Sequence, residues 1–217
     1  MSHSRTVVHL FRHGEVHNPE GVLYGRLPGY HLSELGHRMA DRVGDWFEAE
    51  KVVHVVSSPL QRARETAAPL ARRLDADVII DSRVIEADNK FEGKPFGVGD
   101  GALRHPRAWW LLRNPWKPSW GEPYKVIVER MMAAVRDARA TAEGREIVVV
   151  SHQLPVWITR LHVERRRYLH DPRKRQCALA SVTSLTFSGE DLVGVSYTEP
   201  AADLVPERAK QNFTAGA

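Results

Sequence analysis

A short apolar run, Val7-Val8-His9-Leu10-Phe11, stops abruptly at Arg12-His13-Gly14. It is too short for anything but a strand, and an unbroken run of this kind marks a strand buried on both faces of an α/β sheet. Ligands of such sheets bind beyond the carboxyl ends of the strands. The run therefore delivers a guanidinium and an imidazole to a place where a ligand should sit. Gly14 is expected to let the backbone approach that ligand closely. Arginine presents a planar fork suited to phosphate, and histidine can serve as nucleophile or proton carrier.

Two further segments share this design. Val52-Val53-His54-Val55-Val56-Ser57-Ser58-Pro59 reads as a second strand entering a helix, with Ser58 as N-cap, Pro59 in the first helical position and Gln61 closing a capping box. Arg62 then falls in the first helical turn, where free N–H groups and the dipole favour an anion. Ile147-Val148-Val149-Val150-Ser151-His152 is a third apolar run ending in histidine, followed by a helix with Pro155 near its start. Parallel strands put their carboxyl ends on one edge. Arg12, His13, Arg62 and His152 should converge there around a phosphoryl group.

The motifs Leu10-Phe11-Arg12-His13-Gly14-Glu15, Leu32-Ser33-Glu34-Leu35-Gly36, Ser57-Ser58-Pro59-Leu60-Gln61-Arg62-Ala63-Arg64-Glu65-Thr66 and Val149-Val150-Ser151-His152 follow one another in this order. In them the chain resembles the histidine phosphatase superfamily, which includes the cofactor-dependent phosphoglycerate mutases. The resemblance implies an α/β three-layer sandwich, with a mostly parallel central sheet flanked by helices, in a domain spanning residues 1–200. It further implies a covalent phosphohistidine on His13, a phosphate pocket of Arg12, Arg62 and His152, and a carboxylic acid that protonates the leaving oxygen. Glu86 stands where the family carries that acid; Glu92, Asp88 and Glu15 are the other candidates. Asn18 is close to a family position that contacts phosphate, although Asn18-Pro19-Glu20-Gly21 is also a strong turn signal. Gln153, beside the second histidine, either donates to substrate or caps the following helix.

The chemistry also stands on elementary grounds. A phosphate ester repels nucleophiles until its charge is neutralised, and two guanidiniums with an imidazole can do this without a metal. Removing one such donor typically costs about 10²–10³ in rate. The departing alkoxide needs a proton, and positioned acids contribute roughly 10²–10⁴-fold. Metal ligation by His9, His13 and His17 is not expected, because their four-residue spacing lies across a strand and a turn rather than along a helix.

At 217 residues, with 42% hydrophobic and 27% charged residues, the chain has ordinary globular composition. A single cysteine, Cys177, excludes an intrachain disulfide and fits a reducing compartment. With no long apolar segment at the N-terminus or elsewhere, a cytoplasmic location is the expectation. Ser33 should cap a helix carrying the stripe Leu35, Met39, Val43 and Trp46/Phe47. Further helices are expected over 59–74 and 123–142, an edge hairpin over 181–197, and a loose polar tail over 201–217.

The insertion over 88–121, rich in tryptophan, glycine and proline and interleaved with arginine, reads as a cap over the pocket. The Arg165-Arg166-Arg167 and Arg173-Lys174-Arg175 clusters read as solvated surface, and a net charge of +4 is modest. No nucleic acid or membrane partner is expected; a homodimer stays open. Family mutases carry an adjacent arginine pair in the insertion, whereas this chain has isolated arginines there. The reading is therefore a phosphatase acting on a small phosphorylated metabolite without cofactor. The alternatives are a mutase, which would need 2,3-bisphosphoglycerate, and a phospho-ligand binder without turnover.

Overall fold

The computed structural model describes residues 5–93 and 121–205. Most of the expected cap, and the tail beyond 205, thus lie outside the described residues. Six strands form one sheet: β1 (Arg5–Arg12), β2 (Val52–Ser57), β3 (Val78–Ile80), β4 (Glu146–Ser151), β5 (Val182–Ser188) and β6 (Asp191–Thr198). Their order is β3-β2-β4-β1-β5-β6. The first four in that order run parallel, and the hairpin β5–β6 adds antiparallel strands beside β1. The helices are α1 (Glu34–Trp46), α2 (Gln61–Arg73), α3 (Tyr124–Thr141) and α4 (Gln153–Val163).

Side-chain alternation along the central strands builds two cores. Val8, Leu10, Ile147, Val149 and Leu185 face Ile127, Met131 and Val135 of α3 and Ile158 and Leu161 of α4. Phe11, Val148, Val150 and Val182 face Met39 and Val43 of α1 and Ala63, Ala67 and Leu70 of α2. A strand covered on both faces has no polar side to show, which is why β1 and β4 read as continuous apolar runs. The architecture is the expected three-layer α/β sandwich. Among the described residues no helix is long and apolar enough to cross a membrane.

Ser33 caps α1 as expected, its hydroxyl accepting from Gly36 N–H at 3.0 Å. In the stripe, Met39, Val43 and Phe47 are buried, but Trp46 is exposed on the helix flank. Three local expectations need correction. The capping box at Ser58 does not form: α2 begins at Gln61, with Leu60 in the cap position, and the Leu60 side chain caps no helix N–H. Ser58 is drawn elsewhere, to His152. The glycine of Arg-His-Gly does not clear space for ligand. A Cβ on Gly14 would stand 2.6 Å from the Gly36 carbonyl oxygen, so its smallness serves the close approach of α1. Finally, the expected tail does not begin at 201. Ala201 is buried, a 3-10 turn covers Ala202–Leu204, and Asp203 pairs with Arg42 of α1 at 2.8 Å.

The seam between the first motif and α1 is the tightest backbone contact near the site. Ser33 N–H donates to Glu15 O at 3.0 Å, and Ser33 Oγ donates to Glu15 Oε2 at 2.5 Å. A Cβ on Gly36 would collide with that same Glu15 carbonyl. Gly36→Ala should therefore destabilise the protein by about 1–3 kcal/mol, read as a lower urea midpoint. An unchanged midpoint would contradict this packing.

Candidate active site

Strand register assembles the site. Arg12 of β1 lies opposite Ser151 of β4, and Ser57 of β2 lies opposite Val150. The next residues, His13, His152 and Ser58, therefore leave the sheet at one edge. His13 N–H donates to Ser151 O at 3.1 Å and Ser58 N–H donates to Val150 O at 3.0 Å, extending the ladder past the strand ends. The two imidazoles sit with ring centroids 5.1 Å apart. Arg62, the second residue of α2, is wholly buried and lies 4.7 Å over the Tyr24 ring.

Each side chain is held by part of its polar surface and keeps another part unpartnered. His13 Nδ1 is 2.8 Å from Gly14 O; a carbonyl only accepts, so Nδ1 carries the proton and Nε2 keeps its lone pair. Arg12 donates to Cys177 O and Arg62 to Gly25 O, each at 2.6 Å. His152 Nε2 lies 2.8 Å from Ser58 Oγ, which itself accepts from Leu60 N–H at 3.3 Å. The serine proton is thus available to Nε2, leaving Nδ1–H of a neutral ring as a donor. Glu86 Oε1 accepts from Ala87 N–H at 2.8 Å. Among the described residues, the buried side-chain atoms lacking any partner include Arg12 Nε, His13 Nε2, Arg62 Nε, Glu86 Oε2 and His152 Nδ1. Buried polar groups are normally satisfied. Five orphans on these five residues form a cradle of polar groups that a polar ligand can satisfy.

Burial, reinforced by Arg62 and Arg12, holds His13 well below the ordinary histidine range, and His152 is depressed for the same first two causes. Both rings are neutral near neutral pH. Glu86 moves the other way: burial raises its pKa, against the opposing pull of Ala87 N–H, Arg62, Arg12 and Arg175. The site thus pairs a neutral imidazole, His13, with a carboxyl whose hold on its proton is strengthened by burial.

Two of the competing carboxylates are engaged elsewhere, and the third, Asp88, is solvent-exposed. Glu92 Oε1 accepts from Arg26 N–H at 2.9 Å, and Glu15 serves the α1 seam. Glu86 is positioned through its backbone: Arg26 Nε donates to Glu86 O at 2.7 Å, and Arg130 donates to Ile85 O at 2.8 Å and to Arg83 O at 2.6 Å. Ser151 Oγ adds a bond to Val84 O at 2.7 Å, tying the same loop to β4. Asn18 is not brought to the cradle; its amide donates to Val22 O and accepts from Val22 N–H, closing the turn. Gln153 is the first residue of α4, with its amide oxygen accepting from Arg175 at 3.0 Å.

Sequence reasoning missed Tyr24 and Arg175. Tyr24 had no motif around it. Arg175 was hidden in a basic run whose other members, Arg173 and Lys174, are exposed as expected.

Comparison with known proteins bears on the family and the fold. The model of the histidine phosphatase superfamily (branch 1) matches residues 8–200. The Mycobacterium tuberculosis protein Rv0525 is 58% identical over 197 residues, covering 91% of this chain and 98% of its own. Phosphoserine phosphatase 1 of Hydrogenobacter thermophilus is 30% identical over 159 residues, covering 68% of this chain and 71% of its own. The native structure of mycobacterial glucosyl-3-phosphoglycerate phosphatase Rv2419c superposes with a TM-score of 0.70 at 23% identity, covering 89% of this chain and 97% of that one. This last likeness concerns the fold.

Glu86 binds its proton more tightly folded than unfolded. Its contribution to stability is full below the unfolded carboxyl value and is lost as pH rises through the folded one. Glu86→Gln has no such loss. Its melting temperature should exceed that of the wild type at alkaline pH, with the gap closing on acidification; a gap independent of pH would refute the protonated buried carboxyl.

Proposed function

The chain belongs to the histidine phosphatase superfamily, and on that premise we propose that it hydrolyses a small phosphorylated metabolite through a phosphohistidine on His13, without metal or organic cofactor. The observation that carries this reading is the set of five orphaned polar atoms on Arg12, His13, Arg62, Glu86 and His152. They supply one nucleophile, one acid and three donors. The phosphatase name of the Hydrogenobacter thermophilus relative also supports hydrolysis over phosphoryl exchange.

In this mechanism Arg12, Arg62 and His152 hold the non-bridging oxygens and spread their charge. The Nε2 lone pair of His13 attacks phosphorus in line with the ester oxygen. The P–O bond breaks, and Glu86 gives its proton to the departing oxygen. Nδ1–H, bonded to Gly14 O, accommodates the positive charge now spread over the ring. A water entering opposite the histidine then loses a proton to the Glu86 carboxylate and attacks phosphorus. The P–N bond breaks, and phosphate leaves a neutral His13 and a protonated Glu86.

Turnover needs His13 neutral, which holds above its lowered pKa, and Glu86 protonated, which holds below its raised pKa. Activity should therefore peak at mildly acidic pH and fall on the alkaline side. Turnover of an aryl phosphate should persist in chelator and vanish in His13→Ala. Glu86→Gln should lose roughly 10²–10⁴-fold on an alkyl phosphate; with an aryl ester, whose leaving oxygen needs no proton, the first step should be spared and show as a burst of phenol, while hydrolysis of the phosphohistidine stays slow. Chelator-sensitive turnover, or turnover surviving His13→Ala, would overturn the mechanism.

A further inference from the structure

Beside Glu86 lies a cavity of about 260 Å³, lined by Asn89, Tyr124, Leu154, His170 and Arg175. Glu86 faces the leaving oxygen in the mechanism above, so this cavity is where the leaving group would lie. Its polarity is informative. Besides Glu86, two carboxylates share the wall: Asp88, which is solvent-exposed, and Glu122, which is neutralised by Arg26 at 3.0 Å and Arg130 at 2.8 Å. Arg175 is treated differently. Its Nε–H donates to His170 Nε2 at 2.9 Å, and one terminal N–H donates to Gln153 Oε1 at 3.0 Å. His170 Nδ1 lies 2.6 Å from Tyr168 O and so carries the ring proton, which leaves Nε2 as a neutral acceptor.

Both partners of Arg175 are uncharged. Among the described residues no carboxylate lies within ion-pair distance of it, whereas Arg160, Arg166 and Arg173 nearby each have one. Two neutral acceptors orient the fork without cancelling its charge, and its other terminal nitrogen has no protein partner among the described residues. A second link joins this group to the phosphate cradle. Gln153 Nε2 lies 3.5 Å from Cys177 O, the carbonyl that Arg12 donates to. The cationic group of the leaving-group side is thus in register with the phosphate pocket rather than on a separate surface.

Building on the phosphatase reading, we propose that Arg175, steered by His170 and Gln153, forms a second anion subsite in this cavity. The substrate is then a phosphate monoester whose leaving group carries a further anionic group, a carboxylate or a second phosphate. A free guanidinium in a confined cavity binds such a group by charge-assisted hydrogen bonds and favours it over a neutral analogue by about tenfold to a hundredfold.

The test compares kcat/KM for propyl phosphate, its ω-carboxylate analogue and its ω-phosphate analogue, which share a chain length but differ in terminal charge. Wild type should favour at least one charged ester by about tenfold or more, and the better of the two identifies the anion. In Arg175→Met that ratio should collapse toward unity, mainly through KM, while Arg175→Lys should restore part of it. Absence of preference in the wild type overturns the subsite, as does a preference that survives Arg175→Met. Should Arg175→Met fail to fold, the wild-type ratio and the lysine variant still decide. Turnover of an aryl phosphate without any charge preference would sink the subsite alone; no turnover of any ester would take the phosphatase reading with it.

Discussion

Arg12 and Arg62 are buried within electrostatic reach of each other, each donating to a backbone carbonyl, with no carboxylate among the described residues at ion-pair distance. Two guanidiniums removed from water in this way lose several kcal/mol of solvation each. In the proposed mechanism a bound phosphoryl dianion offsets that loss. The same charges act on the protonation of their neighbours: with burial they keep His13 and His152 neutral, and they oppose the burial that raises the pKa of Glu86. The groups proposed as nucleophile, donor and acid thus share one electrostatic environment.

That environment needs a rigid frame, and the frame is mostly backbone. The strand ends hold His13 and Ser58 by ladder bonds that continue past Arg12 and Ser57. Thr66 Oγ1 accepts from Gly14 N–H at 3.2 Å and donates to Arg62 O at 2.7 Å, coupling the first motif to α2. The Glu86 loop is gripped through its carbonyls by Arg26, Arg130 and Ser151, and the carboxyl group keeps one oxygen, Oε2, without a protein partner among the described residues. Arginines here have two distinct uses. Those paired with Glu122 hold structure together; Arg12, Arg62 and Arg175 have no carboxylate at ion-pair distance among the described residues, and the proposals above give their charge to a ligand.

Much of this was legible along the chain. A strand buried on both faces shows itself as an unbroken apolar run, and the residue that ends it is fixed in space by covalent connection. Arg12, His13 and His152 needed no more than that. Arg62 was correctly expected near a helix start, although the start lies at Gln61 rather than Pro59. The reasons given for some residues were less sound than their positions. Ser58 was expected to cap a helix and instead orients His152; Gly14 was expected to admit ligand and instead admits Gly36. Both errors concern partners more than twenty residues away in sequence, which no local pattern encodes.

What the sequence by itself determined, then, is the sheet, its helical covering and the identity of the residues at the strand ends, because burial and chain connectivity act locally. Only the tertiary structure decided which nitrogen of His13 is free, which carboxylate faces the cradle, and that Arg175 turns inward while its neighbours stay in water. Those outcomes depend on which acceptors and which low-dielectric surroundings meet across the fold. The strength of a charge or hydrogen bond is set by that meeting and not by the residue alone.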